Sequence, residues 1–133
     1  MTLQIAMKAL AIWAGILVMA VLNGTLREFF LVPKLGTAPG FFLSGVLLSL
    51  LIVLLTYLSL PWIDARRITE LASIGLGWLC LTLLFEFSFG LLQGKSWQVI
   101  LEAYTFRDGN IWPLVLFVVA TAPYLAAKLR GLI

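Results

Sequence analysis

No histidine occurs anywhere in this chain, and cysteine occurs once, as Cys80. The first absence removes the commonest metal ligand and the commonest general base. The second excludes disulfides within the chain, and Cys80, in the middle of an apolar run, is expected to serve as a buried small hydrophobe. Charge is scarce too: Asp, Glu, Lys and Arg make up 11% of the residues, where soluble domains carry roughly a quarter. There is no Ser-His pair, no cysteine pair, no glycine loop of the phosphate-binding kind and no acidic cluster with metal-ligand spacing. No cofactor is therefore expected, and an enzyme is the less favoured class. The nine Lys and Arg, against six Asp and Glu, form no basic cluster fit for nucleic acid and instead suit contact with membrane lipids.

Hydrophobic residues supply 62% of the 133 positions, and the mean hydropathy is +1.10. A water-soluble fold of this length cannot hide so much apolar surface. The expected fold is all-α: one domain over residues 1–133, built as an integral membrane bundle of four transmembrane helices. A short interfacial helix is expected between helices three and four.

The first span begins near Leu3 or Ile5 and reaches at least Leu22. It can continue through Arg27 and Glu28 to Leu31, and Pro33 is expected to stop it. Lys8, the run Ala9 to Leu22 and Val18-x-Ala20 also resemble a signal peptide. Apolar character resumes right after Glu28, so a retained helix is expected. The breaker-rich turn 33–40 leads to a second span, Phe41 to Leu60, in which Gly45, Ser49 and Thr56 form a small-residue row suited to helix packing. A loop follows over 61–70, with Trp62 as an aromatic anchor, Arg66 and Arg67 as cationic anchors and Thr69 as a candidate cap. The third span, Leu71 to Leu92, offers Ser73 and Gly77 as a second small-residue face.

Between Gln93 and Asn110, Trp97, Ile100, Leu101 and Tyr104 recur at helical spacing, while Gln98, Glu102 and Thr105 face away. That predicts a helix of about two turns lying at the membrane surface, with Ser96 as its N-cap. Residues 107–110 read as a turn. The fourth span runs from Ile111 to Lys128, tolerates Pro113 in its first turn and is expected to bend near Pro123. Four spans put both ends of the chain on one side. That side carries Lys8, Arg66, Arg67, Lys128 and Arg130 against Arg27, Lys34, Lys95 and Arg107 opposite, so both termini are expected in the cytoplasm.

Glu86 is the carboxylate that lipid would not tolerate alone. It lies six residues before Leu92, about 9 Å from the end of its helix by helical rise, and Arg27 lies at a similar depth on the same side. The expected polar cluster is Arg27 with Glu86 and Asn23. Glu28 points about 100° away on its helix, toward Lys34 or water, and Ser88 is a further candidate lining residue. Three roles stay open for Glu86: a structural clamp with Arg27, a proton or cation site on a pathway lined by Asn23, Arg27, Glu28 and Ser88, or a catalytic group. Glu102 and Asp108 share its side without a recognised ligand pattern.

Asn23-Gly24-x-x-Arg27-Glu28, Pro33-Lys34-x-Gly36, Phe85-Glu86-Phe87-x-x-Gly90 and Gly109-x-x-Trp112-Pro113 resemble an uncharacterised family of small bacterial four-helix membrane proteins. The resemblance covers nearly the whole chain. It implies an inner-membrane location and carries no activity. The marks of small multidrug transporters and of dual-topology fluoride channels are absent. The leading functional expectation is a small channel or transporter for a proton, ion or small polar solute, forming a homo-oligomer. The alternatives are a non-catalytic subunit or scaffold packed on a partner membrane protein, and a lipid-modifying enzyme that uses Glu86.

Overall fold

The computed structural model describes residues 2–65, 67–102, 104–105 and 111–131, and among these no strand occurs. Four helices are long and apolar enough to cross a membrane: α1 (Leu3–Leu35), α2 (Thr37–Ile63), α3 (Ile68–Leu92) and α5 (Trp112–Leu129). The short α4 (Trp97–Glu102) lies between α3 and α5. The predicted turn at 107–110 falls outside the described residues.

Apolar side chains cover the outside. Leu10, Leu50, Leu54, Leu58 and Leu84 are all exposed, whereas Asn23, Ser44, Thr56 and Ser59 are buried. Such an exterior suits lipid rather than water; Asn23 and Ser44 hydrogen-bond between α1 and α2, while Thr56 and Ser59 donate to carbonyls of their own helix. α5 packs along both α2 and α3, and α1 packs along α2; α1 and α3 meet only sparsely. The bundle thus has one loose seam.

Pro33 does not end the first helix, which continues to Leu35. The reason is a π-helical segment over Arg27–Leu31, in which the Val32 N–H donates to the Arg27 carbonyl five residues back. The wider turn shifts the preceding carbonyls, so the proline ring is accommodated without a break. At about 1.5 Å per residue, α1 is about 50 Å long, well beyond a hydrocarbon core. The turn expected over 33–40 shrinks to Gly36, whose φ of 96° suits glycine. Gly40 then lets α2 begin directly against α1, since a Cβ there would lie 3.0 Å from the Val32 backbone.

Pro61 lies inside α2 rather than after it. Its missing N–H leaves the Tyr57 carbonyl without its helical donor. Arg130 supplies a replacement: its Nε–H donates to the Tyr57 carbonyl, and its guanidinium lies 4.3 Å from the Tyr57 ring centre. Lys8 likewise donates to the Trp62 carbonyl, at 3.0 Å. Two cations from other helices therefore cap the C-terminal, negative end of α2.

Other expectations change for packing reasons. α2 runs on to Ile63 and α3 already begins at Ile68, with Asp64 left-handed at the cap of α2. Thr69 lies within the first turn of α3, and it is the Arg67 N–H that is held, by Glu70 Oε1 at 3.4 Å. On α3, Ser73 and Gly77 face outward, and the close approach is made by Gly75, where a Cβ would meet the Ala120 carbonyl oxygen at 1.9 Å. Cys80 is exposed on the outer face rather than buried. On α2, Gly45 receives Ile111 and Thr56 is buried, so that small-residue row is used within the chain. Pro123 lies inside the last helix and is fully buried.

Candidate functional site

The seam between α1 and α3 is closed at one end by two tryptophans. Trp78 Nε1–H donates to the Ala9 carbonyl at 2.9 Å, and Trp13 Nε1–H donates to Thr82 Oγ1 at 3.1 Å. From the Trp13–Thr82 bond onward, α1 and α3 are separated by a cavity of about 710 Å³. That size is typical of small-molecule sites. Trp13, Ile16, Ile52 and Val119 form its deep end; Arg27, Glu86, Gln93, Lys95 and Glu102 lie toward its mouth. From Trp13 to Arg27 the crevice follows α1 for about 21 Å by helical rise.

One edge of the mouth is built by the chain folding back after α3. The Gly94 N–H donates to the Leu91 carbonyl and the Lys95 N–H to the Gly90 carbonyl, each at 3.0 Å. This pair of bonds reverses the chain, with Gly94 at a φ of 81°. Ser96 Oγ accepts from the Val99 N–H at 3.3 Å, so it caps α4 as its residue type predicts. Ile100 is buried against Gly90, where a Cβ would stand 2.9 Å from it. Phe87 packs on the rings of both Trp97 and Tyr104, with centres 5.6 Å apart in each case. Trp97, Ile100 and Tyr104 thus fasten α4 to α3, while Leu101 stays exposed.

This docking brings Tyr104 to Glu86. The Tyr104 hydroxyl donates to Glu86 Oε2 at 3.0 Å, and Trp112 Nε1–H, from the start of α5, donates to the same oxygen at 2.8 Å. Burial first, and the Glu86 charge second, push the Tyr104 phenol above its ordinary value of 10.0. Its hydroxyl accordingly remains a donor at neutral pH. The carboxylate joins α3 to Tyr104, two residues past α4, and to α5, with neutral donors only. Among the described residues it has no cation within 4.0 Å, and no hydrogen bond reaches Oε1.

The five residues singled out by sequence separate into two groups. Glu86, Arg27 and Asn23 all line the crevice. They do not bond to one another. Arg27 Nε pairs with Glu28 Oε1 at 3.2 Å, and its guanidinium lies 5.0 Å from the Phe41 ring centre. Glu28 therefore turns to Arg27 rather than to Lys34, and it is exposed, outside the crevice. Asn23 exchanges hydrogen bonds with Ser44: its amide donates to the Ser44 carbonyl at 3.1 Å and its oxygen accepts from the Ser44 hydroxyl. Ser88 is exposed and does not line the cavity. Tyr104, Trp112 and Ser44 were not singled out as site residues, although Tyr104 belongs to the predicted helical pattern and Trp112 to a quoted motif. Their sequence signal is a polar atom in an otherwise apolar pattern, and that does not tell which partner it meets.

An apolar exterior and an interior crevice with polar residues mark an all-helical bundle with four helices long and apolar enough to cross a membrane. No family model, curated protein or solved structure matches the chain. The geometry of the crevice carries the functional reading.

Proposed function

We propose that this protein is a small membrane transporter that takes a solute into the crevice between α1 and α3, with Glu86 as the polar group the solute meets. The observation that carries the reading is the seam itself: bonded at Ala9–Trp78 and Trp13–Thr82, and parted by a cavity whose lining reaches Asn23 and Gln93. A cavity closed at one end fits a binding state of alternating access better than an open pore. Opening the other side requires the two tryptophan bonds to part. In this reading the bundle spans a bilayer, and α4 lies at its surface beside the mouth.

The test is solute and proton flux into proteoliposomes, comparing wild type with Glu86→Gln. Flux lost in the variant, at unchanged insertion and helicity, supports the reading. A wild-type protein that moves nothing, together with a Glu86→Gln variant that is merely less heat-stable, overturns it and returns Glu86 to a structural clamp.

A second reading, a subunit that packs on a partner membrane protein, is favoured by one observation. Ser73 and Gly77 face outward on α3, and a Cβ at Gly77 would meet nothing within 4 Å. Bulky substitution at Gly77 leaves flux unchanged if the first reading holds and abolishes co-purification of a partner if the second does.

A further inference from the structure

The chemical class of the solute follows from where charge is balanced in the crevice and where it is not. Resting on the transporter reading, we infer that the crevice binds a lipophilic organic cation, whose positive centre pairs with Glu86 and whose apolar body fills the space toward Trp13. At the mouth, Arg27 and Lys95 stand with the carboxylates of Glu86 and Glu102, and Glu28 lies just outside. Arg27 is bound to Glu28 and lies over Phe41. Asn23 and Thr82 are taken by Ser44 and Trp13. Glu86 is the exception. Its two partners are neutral donors on a single oxygen, and among the described residues nothing is bonded to the other.

A carboxylate in such a place is costly unless an opposite charge reaches it. The neighbouring walls suit a cation that carries apolar groups. Phe85, Phe89 and Trp112 line the cavity beside Glu86, and Phe41 and Trp13 line it further off. Aromatic faces attract positive charge and reject negative charge, and they do so more strongly once water is excluded. An inorganic cation would leave the deep end, formed by Ile16, Ile52 and Val119, unfilled. An anion would find Arg27 already engaged by Glu28 and would meet Glu86 opposing it.

The experiment uses three probes of similar bulk and different charge: tetraphenylphosphonium, tetraphenylborate and neutral triphenylphosphine oxide. Each is titrated into the full-length protein in nanodiscs, with empty nanodiscs as the blank. Saturable binding is expected for the phosphonium alone, weakened about ten- to a hundred-fold by Glu86→Gln, as for loss of one charge-assisted contact. Tetraphenylborate or the neutral oxide binding to wild type as tightly as the phosphonium overturns the cation assignment while the crevice remains a binding site. Phosphonium binding that is unchanged in a folded Glu86→Gln also overturns it. Absence of saturable binding for all three probes overturns both this inference and the transporter reading. The wild-type comparison decides the sign of the charge even if the variant fails to fold.

Discussion

Tyr104→Phe isolates the bond that ties α4 to the carboxylate. Phenylalanine keeps the ring that stacks on Phe87 and removes only the hydroxyl that donates to Glu86 Oε2 at 3.0 Å. A hydrogen bond to a charged group is worth about 1.5–3 kcal/mol when buried. Tyr104 is only half-buried, so competition with solvent brings the expected loss down to about 1 kcal/mol. The same change made in a Glu86→Gln background should cost less, because an amide oxygen is a weaker acceptor than a carboxylate. A double-mutant cycle, read by equilibrium unfolding in mixed micelles, gives the coupling directly; about 0.5–1 kcal/mol is expected. Amide exchange should accelerate over residues 97–102 and stay unchanged at Trp78, since that helix section is held by other bonds. An equal cost of Tyr104→Phe in both backgrounds would refute the claim that the carboxylate anchors α4.

Three more outcomes follow from the geometry. The phenol of Tyr104 is raised from 10.0, so its contribution is complete below about pH 10 and is lost as pH rises through the higher folded value; alkaline unfolding of wild type should show this and Tyr104→Phe should not. Gly75→Ala drives a methyl to 1.9 Å from the Ala120 carbonyl oxygen, and because backbone cannot rotate away, the α3–α5 contact should lose about 1–3 kcal/mol in the same micelle assay. Arg130→Met removes the donor to the Tyr57 carbonyl and should destabilise by about 1–2 kcal/mol; Pro61→Ala restores a helical N–H four residues after Tyr57, so most of that loss should vanish in the double variant.

The four spans were legible because hydropathy is a sum over some twenty residues, and no single contact can overturn it. The fold-back after α3 was legible in part for a related reason: the helical spacing of Trp97, Ile100 and Tyr104 and the Ser96 cap are local patterns. Prolines misled for a physical reason. Pro33 and Pro61 each break a local hydrogen bond, but whether the helix ends depends on what replaces the bond. A π-helical segment does so for one and Arg130, nearly seventy residues on, for the other.

The candidate site divides along the same line. Sequence alone determined that a carboxylate at position 86 needs company, because an isolated charge is costly in an apolar span. It also determined that Arg27 and Asn23 stand at a similar level, because helical rise is fixed. Depth, however, is only one of three coordinates. Which residues face Glu86 depends on how the helices are arranged around the bundle and on their rotation. α3 is flanked by α5 and only loosely by α1, which gives Glu86 to Trp112 and Tyr104 and leaves Arg27 to Glu28. The crevice is likewise a tertiary product: it exists because two tryptophans hold α1 and α3 together at one end and nothing among the described residues does so at the other. Side-chain partners across helices are set by packing, and packing is not additive along the chain.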